Sequence, residues 1–151
     1  MRALNRTVGA RIIGTLAISV VALAVPPRAA EIGARAVTTT EAAHSGEMVI
    51  VTIPERAVKD LPKGLFAGVK SDVVVIDTGN YYPARDDRIA AIEEGQVESA
   101  WVAEQLGRPV IKVFNNIGFK SLLENGRPKG AAGRIALPVA ITTRPYSSSF
   151  W

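Results

Sequence analysis

Apolar and polar positions alternate in blocks along this chain. Met48-Val49-Ile50-Val51-Thr52-Ile53 is an apolar run stopped by Pro54. Val73-Val74-Val75-Ile76 is a second, ending abruptly at Asp77-Thr78-Gly79-Asn80. Val110-Ile111-Lys112-Val113-Phe114 is a third, ending at Asn115-Asn116. Near-continuous apolar runs of this length suit strands buried in a parallel sheet. Ala34-Arg35-Ala36-Val37 and the run 135–140, which contains Pro138, predict two weaker strands, the latter at an edge.

The intervening segments read as helices. Thr38 to Thr40 supply an N-cap for a turn through His44. Glu55 to Leu61 has Ala57, Val58 and Leu61 at helical spacing. Val97 to Leu106 turns Val97, Trp101, Val102 and Leu106 inward and stops at Gly107. Phe119 to Glu124 is closed by Asn125-Gly126, and residues 127–133 form a loop rich in glycine and basic residues. Strands alternating with helices predict an α/β fold, a Rossmann-like parallel sheet, incomplete, with helices on both faces.

The N-terminal segment, residues 1–30, departs from this rhythm. A basic start precedes an apolar run from Ile12 to Val25, then Pro26-Pro27, with Ala22-Leu23-Ala24 as an A-x-A site. That is the pattern of an export leader covering residues 1–24. The other reading is a degenerate first unit of a dinucleotide fold, in which Gly9 and Gly14 stand where G-x-G-x-x-G is expected. The apolar run is short for a stable membrane span.

Composition removes several chemistries. There is no cysteine and one histidine, His44, which excludes thiolate chemistry and a multi-histidine metal site. The net charge of +4 resides in the N-terminal segment, where Arg2, Arg6, Arg11 and Arg28 meet no acid. No basic face interleaved with aromatic residues marks a nucleic-acid surface. What remains is the C-terminal edge of the strands, where an open α/β sheet places its ligand. Pro54-Glu55, Asp77 to Asn80 and Asn115-Asn116 converge there. Asparagine amides both donate and accept hydrogen bonds, and Asp77 is better placed to orient than to act as a base. A site rich in orienting groups suits hydride transfer, in which a cofactor carries the reaction.

The segments VVVIDTGNYYPARD, ESAWVAEQLGRPVIKVFNNI, SLLENGRP and GRIALPVA resemble the NADP oxidoreductase family described as coenzyme F-420-dependent, over residues 31–140. The resemblance implies an NADP(H)-binding Rossmann-type domain passing hydride to or from a deazaflavin or flavin, a small-molecule redox substrate. It implies cofactor contacts from Ile53, Pro54, Asp77, Thr78, Gly79, Asn80, Phe114, Asn115 and Asn116, with Tyr81 and Tyr82 either covering a ring or packing a loop. Arg127, Lys129 and Arg134 read as a solvated basic loop. A homodimer and a cytoplasmic setting follow from the family. The fingerprint glycines and the second strand of the family are not recognisable, and 141–151 reads as an unstructured tail. Both ends therefore read as truncated or shifted in frame.

Overall fold

The computed structural model describes residues 34–142 together with the strand Leu16–Ser19. Five strands form one sheet in the order β1-β2-β3-β4-β5: Leu16–Ser19, Met48–Val51, Val74–Asp77, Ile111–Lys112 and Ala140–Ile141. The first four pair in parallel and β5 pairs antiparallel to β4. The α/β, largely parallel architecture is the one the blocks of apolar residues predict. β1 lies inside the apolar run of the N-terminal segment, and the rest of residues 1–30 lies outside the described residues.

Helices fill the connections. They are α1 Thr39–His44, α2 Glu55–Val58, α3 Pro83–Asp86, α4 Ala90–Glu93, α5 Glu98–Leu106 and α6 Phe119–Glu124. Thr38 closes the start of α1 with a capping box: its hydroxyl accepts from the Glu41 N–H, and the Glu41 carboxylate accepts from the Thr38 N–H. Gly107 ends α5 in the left-handed conformation, at φ 63°, where a side chain would be strained. Arg108 then reaches back, donating to the carbonyls of Lys70 and Val73 at 2.6 and 2.7 Å. It thereby anchors the approach to β3.

Strand periodicity divides the sheet into two unequal faces. Register places Val49 beside Val75, and Val51 beside Asp77 and then Lys112, on one face. That face is packed by Val58, Phe66, Trp101, Val102 and Leu106, which form the core with it. The opposite face carries Ile50, Ile76, Ile111 and Ile141 in one row, from largely covered at Ile76 to open at the β5 edge.

Several expected elements are shorter or missing. Residues 34–38 have no regular structure, so Ala34 to Val37 is not a strand; all four side chains are exposed, and no core holds them in a sheet. The strand expected at 48–53 ends at Val51, and the helix expected at 55–61 ends at Val58. The run 135–140 pairs only at Ala140 and continues to Ile141, because Pro138 has no N–H to donate to a ladder. Residues 81–87, which read as a polar loop, contain α3, and α4 follows at Ala90–Glu93; both are too short for hydrophobic periodicity to announce. Helix α6 has the predicted bounds.

Candidate functional site

Three strand ends meet at one edge. Thr78, just past β3, donates its backbone N–H to the carbonyl of Val51, and its hydroxyl lies 3.1 Å from that of Thr52. Asn80 and Asn115 are joined twice. The Asn80 side-chain amide donates to the Asn115 carbonyl at 2.7 Å, and the Asn115 amide donates to Asn80 Oδ1 at 3.3 Å. Each amide keeps unused donor and acceptor capacity, since a carboxamide offers two donors and two lone pairs. Phe114 precedes the pair at φ 67°, an outlier for a bulky residue, and this bend turns the chain out of β4 toward Asn80.

Beneath this edge lies a buried charge cluster. Lys112 Nζ is 2.8 Å from Asp77 Oδ2, 3.3 Å from Glu55 Oε1 and 3.5 Å from Glu98 Oε2. Glu55 is 0% exposed, Asp77 2% and Lys112 8%. The other oxygen of Asp77 accepts the Gly79 N–H at 2.8 Å, so both Asp77 oxygens hold something in place. Among the described residues Glu55 Oε2 has no hydrogen-bond partner. A Cβ on Gly79 would stand 2.7 Å from Glu55 Oε1, so the turn closes directly over the Glu55 carboxyl and admits only glycine.

Two carboxylates and one ammonium in a dry site cannot all be equally satisfied. Burial pushes the Glu55 carboxyl up to about 7, the negative charge of Asp77 adds to the rise, and Lys112 only partly opposes it. Burial pulls on Lys112 in the opposite sense. The hydrogen bond and charge of Asp77, with the charges of Glu55 and Glu98, outweigh that pull and hold Lys112 above its ordinary value. A third buried acid, Asp86, sits in α3. Burial would raise it, but Arg85 at 2.6 Å and the Tyr82 N–H at 2.9 Å bring it below its ordinary value. Arg85 also donates to the Asn80 carbonyl at 2.6 Å, tying α3 to the turn.

The sequence-predicted site residues divide into groups. Asp77, Thr78, Gly79, Asn80, Phe114 and Asn115 gather at the strand edge. Asn116 and Pro54 are exposed nearby in sequence, and Ile53 packs into the core with Leu65 and Phe66. Tyr81 is half-buried, its hydroxyl accepting the Ile89 N–H at 3.1 Å and lying 2.9 Å from Glu93 Oε1, whereas Tyr82 is exposed under the Arg85 guanidinium. Arg127 and Arg134 line a separate cleft of about 160 Å³ with Ile117 and Leu122.

Lys112 and Glu98 are the functional candidates that sequence reasoning passed over, and Glu55, placed at the strand edge by the sequence, was given no role there. A signal existed for the first: a lysine inside an apolar strand is almost never buried without a partner. Its partners stand 35 and 57 residues away, and no spacing rule connects them. Among the described residues no group of three or more His, Cys, Asp or Glu side chains could hold a metal ion, and no helix is long and apolar enough to cross a membrane.

Comparison with known proteins yields one finding. Residues 9–81 match the family model described as NADP oxidoreductase coenzyme F420-dependent. The match takes in β1 to β3 and the turn through Asn80 and Tyr81, while Lys112 and Asn115 lie beyond it. No curated protein and no solved structure matched the chain. The segment 9–81, which carries the first three strands and the Asp77–Asn80 turn of the candidate site, thus matches the family that the sequence resembles, the NADP oxidoreductases described as coenzyme F420-dependent.

Proposed function

We propose that the strand edge is the nicotinamide side of an NADP(H) site serving hydride transfer to or from a deazaflavin or flavin-type acceptor. The observation that carries this reading is the Asn80–Asn115 pair, held across the ends of β3 and β4 with amide capacity to spare. A nicotinamide carboxamide needs a donor and an acceptor side by side, and this pair offers both. When bound, the cofactor supplies the hydride chemistry. The chain's own part is orientation. Asn80 and Asn115 would set the ring's carboxamide, Thr78 and Gly79 would let it approach the backbone, and Asp77 with Lys112 would keep the turn from shifting. Glycine at position 79 fits such close approach. The family's phosphate-binding glycines belong to the N-terminal segment, outside the described residues.

A second reading, a nucleotide-binding fragment without catalysis, is favoured by one feature. The two cations placed closest to the edge are already engaged: Lys112 by carboxylates, and Arg85 by Asp86 and the Asn80 carbonyl. A pyrophosphate would have to find its donors elsewhere. A cytoplasmic setting and a homodimer remain proposals of the family resemblance.

Titration of the chain with NADPH, followed by fluorescence and with NADH as control, tests the assignment. Saturable micromolar binding that prefers NADPH and weakens roughly 5- to 30-fold in Asn80→Ala supports it, as loss of one or two hydrogen bonds would. Absence of saturation up to millimolar NADPH removes it. Reduction of a deazaflavin or flavin by the NADPH-loaded chain then separates the enzyme from the binding fragment.

A further inference from the structure

Glu55 is used by nothing in the reading above, yet it is the most enclosed charged group of the described molecule. Its carboxyl sits below Gly79, and its Oε1 is 3.3 Å from Lys112 Nζ. Lys112 holds Asp77 Oδ2 at 2.8 Å, and Asp77 Oδ1 holds the Gly79 N–H at 2.8 Å. The next residue is Asn80. The chain of contacts from Glu55 to the Asn80–Asn115 pair is therefore continuous, through one ammonium and one carboxylate.

We propose that Glu55 is a positioning residue for the Asn80–Asn115 pair, and that the setting of the Asp77–Asn80 turn depends, through Lys112 and Asp77, on whether Glu55 holds a proton. This rests on the nicotinamide-side reading for its functional consequence, but not for its structural one.

The physical reason is competition for one cation. With Glu55 neutral, Lys112 is free to make its shortest contact to Asp77, as observed. With Glu55 ionised, two carboxylates flank the same ammonium and repel each other, and Lys112 is drawn toward Glu55. The Glu55 oxygen without a partner would then require solvation, and Gly79 covers the carboxyl. Gly79 lies against the same carboxyl, so hydrating it is expected to lift the turn. The charged groups facing Glu55 are Asp77 from β3, Lys112 from β4 and Glu98 from α5, with Arg85 of α3 contributing at longer range. Glu98 is part-exposed and is the weakest of the three contacts to Lys112.

The test is a pH titration of the full chain from 5 to 9 by nuclear magnetic resonance, observing the Gly79 backbone amide and the Asn80 and Asn115 side-chain amides. These signals are expected to move together with a midpoint near 7, to stop moving in Glu55→Gln, and to move again in Glu55→Asp. Signals that titrate unchanged in Glu55→Gln, or that do not titrate in the native chain, overturn the proposal. Carbon-13 labelling of the glutamate carboxyls reports Glu55 in the native chain, so the test holds even where the variants fail to fold. There, a Glu55 midpoint in the ordinary carboxylate range, or one that the Gly79 amide does not share, overturns it.

NADPH titrations at pH 6 and pH 8 separate this proposal from the functional one. Affinity several-fold weaker at pH 8 in the native chain, with the difference reduced in Glu55→Gln, supports both. An equal pH dependence in the two proteins overturns the positioning role and leaves the cofactor site standing. No NADPH binding at either pH, with the coupled amide titration intact, removes the cofactor site and leaves the positioning of the turn.

Discussion

Two regions of this molecule hold apolar residues in similar density and treat them differently. Between Met48 and Val113 the predicted inward positions Val58, Trp101, Val102 and Leu106 are buried, Val102 at 0% exposure. Val97, expected to face inward, is 63% exposed because it caps the helix instead of lying within it. Between Phe119 and Ile141 the apolar residues face outward: Phe119 is 86% exposed and Leu123 81%. Helix α6 formed where the sequence placed it, yet it covers no core. Local pattern therefore specifies an element, but burial needs a partner surface. The first region has one, because β2 and β3 present Val49, Val51 and Val75 to α2 and α5. In the second, the chain reaches the edge of the sheet at β5 and has few neighbours left to pack against.

The contrast breaks most sharply at Lys112. Lys112→Met would leave Asp77 and Glu55 buried beside each other with no cation, and is expected to destabilise by roughly 3–5 kcal/mol in chemical denaturation. Trp101→Ala is expected to lose about 3–5 kcal/mol through the cavity it opens in the same region. Losses of unfolding free energy in urea of less than a third of those amounts would mean that the first region is not the packed core.

The pH dependence of stability sharpens the picture. Glu55 binds its proton more tightly folded, at about 7, than unfolded, at its ordinary 4.5. Between those values the native state carries the extra proton, so stability falls as pH rises from about 4.5 through 7. A shift of this size corresponds to on the order of 3 kcal/mol. Asp86 acts with the opposite sign: its folded value lies below the ordinary one, so its contribution is complete above about 4 and is lost on further acidification. Melting temperatures should therefore peak in mildly acidic buffer, and Glu55→Gln should flatten the decline toward pH 8. An optimum above pH 7 in the native chain would contradict this.

A smaller effect is expected at Gly79. Gly79→Ala places a methyl group 2.7 Å from Glu55 Oε1, and overpacking of this kind costs about 1–3 kcal/mol. The smallest belongs to the second region. Leu123→Ser should stay within about 0.5 kcal/mol of the native chain, since the side chain leaves water hardly at all. A larger loss there would show that α6 is covered in solution.

The residues explain how far the sequence could be read. The valine-rich strands β2 and β3, the α5 stripe ending at Gly107 and the α6 boundaries follow from periodicity and punctuation within a few residues of one another. Residues 34–37 carried a strand-like pattern but found no sheet position. Helices α3 and α4 are four residues each, too short to show a period; α3 is held by Asp86, and α4 by the Tyr81 hydroxyl at its start and by Ala91 and Ile92 against the core. Those bonds are tertiary and leave no local trace.

The candidate site shows the same division. By itself the sequence determined that Asp77 to Asn80 and Phe114 to Asn116 follow strands at one edge of an α/β sheet, because apolar runs and their abrupt polar stops are local features; that the two strands are neighbours is the structure's finding. Only the tertiary structure decided that Asn80 and Asn115 bond to each other, and that Lys112 stands between Asp77, Glu55 and Glu98. The reason is register. Pairing Asp77 with Lys112 in neighbouring strands puts both on one face, and α2 and α5 bring two more carboxylates to it. The charge of each residue is written in the chain. The contacts of Lys112 are with neighbours 14 to 57 residues away.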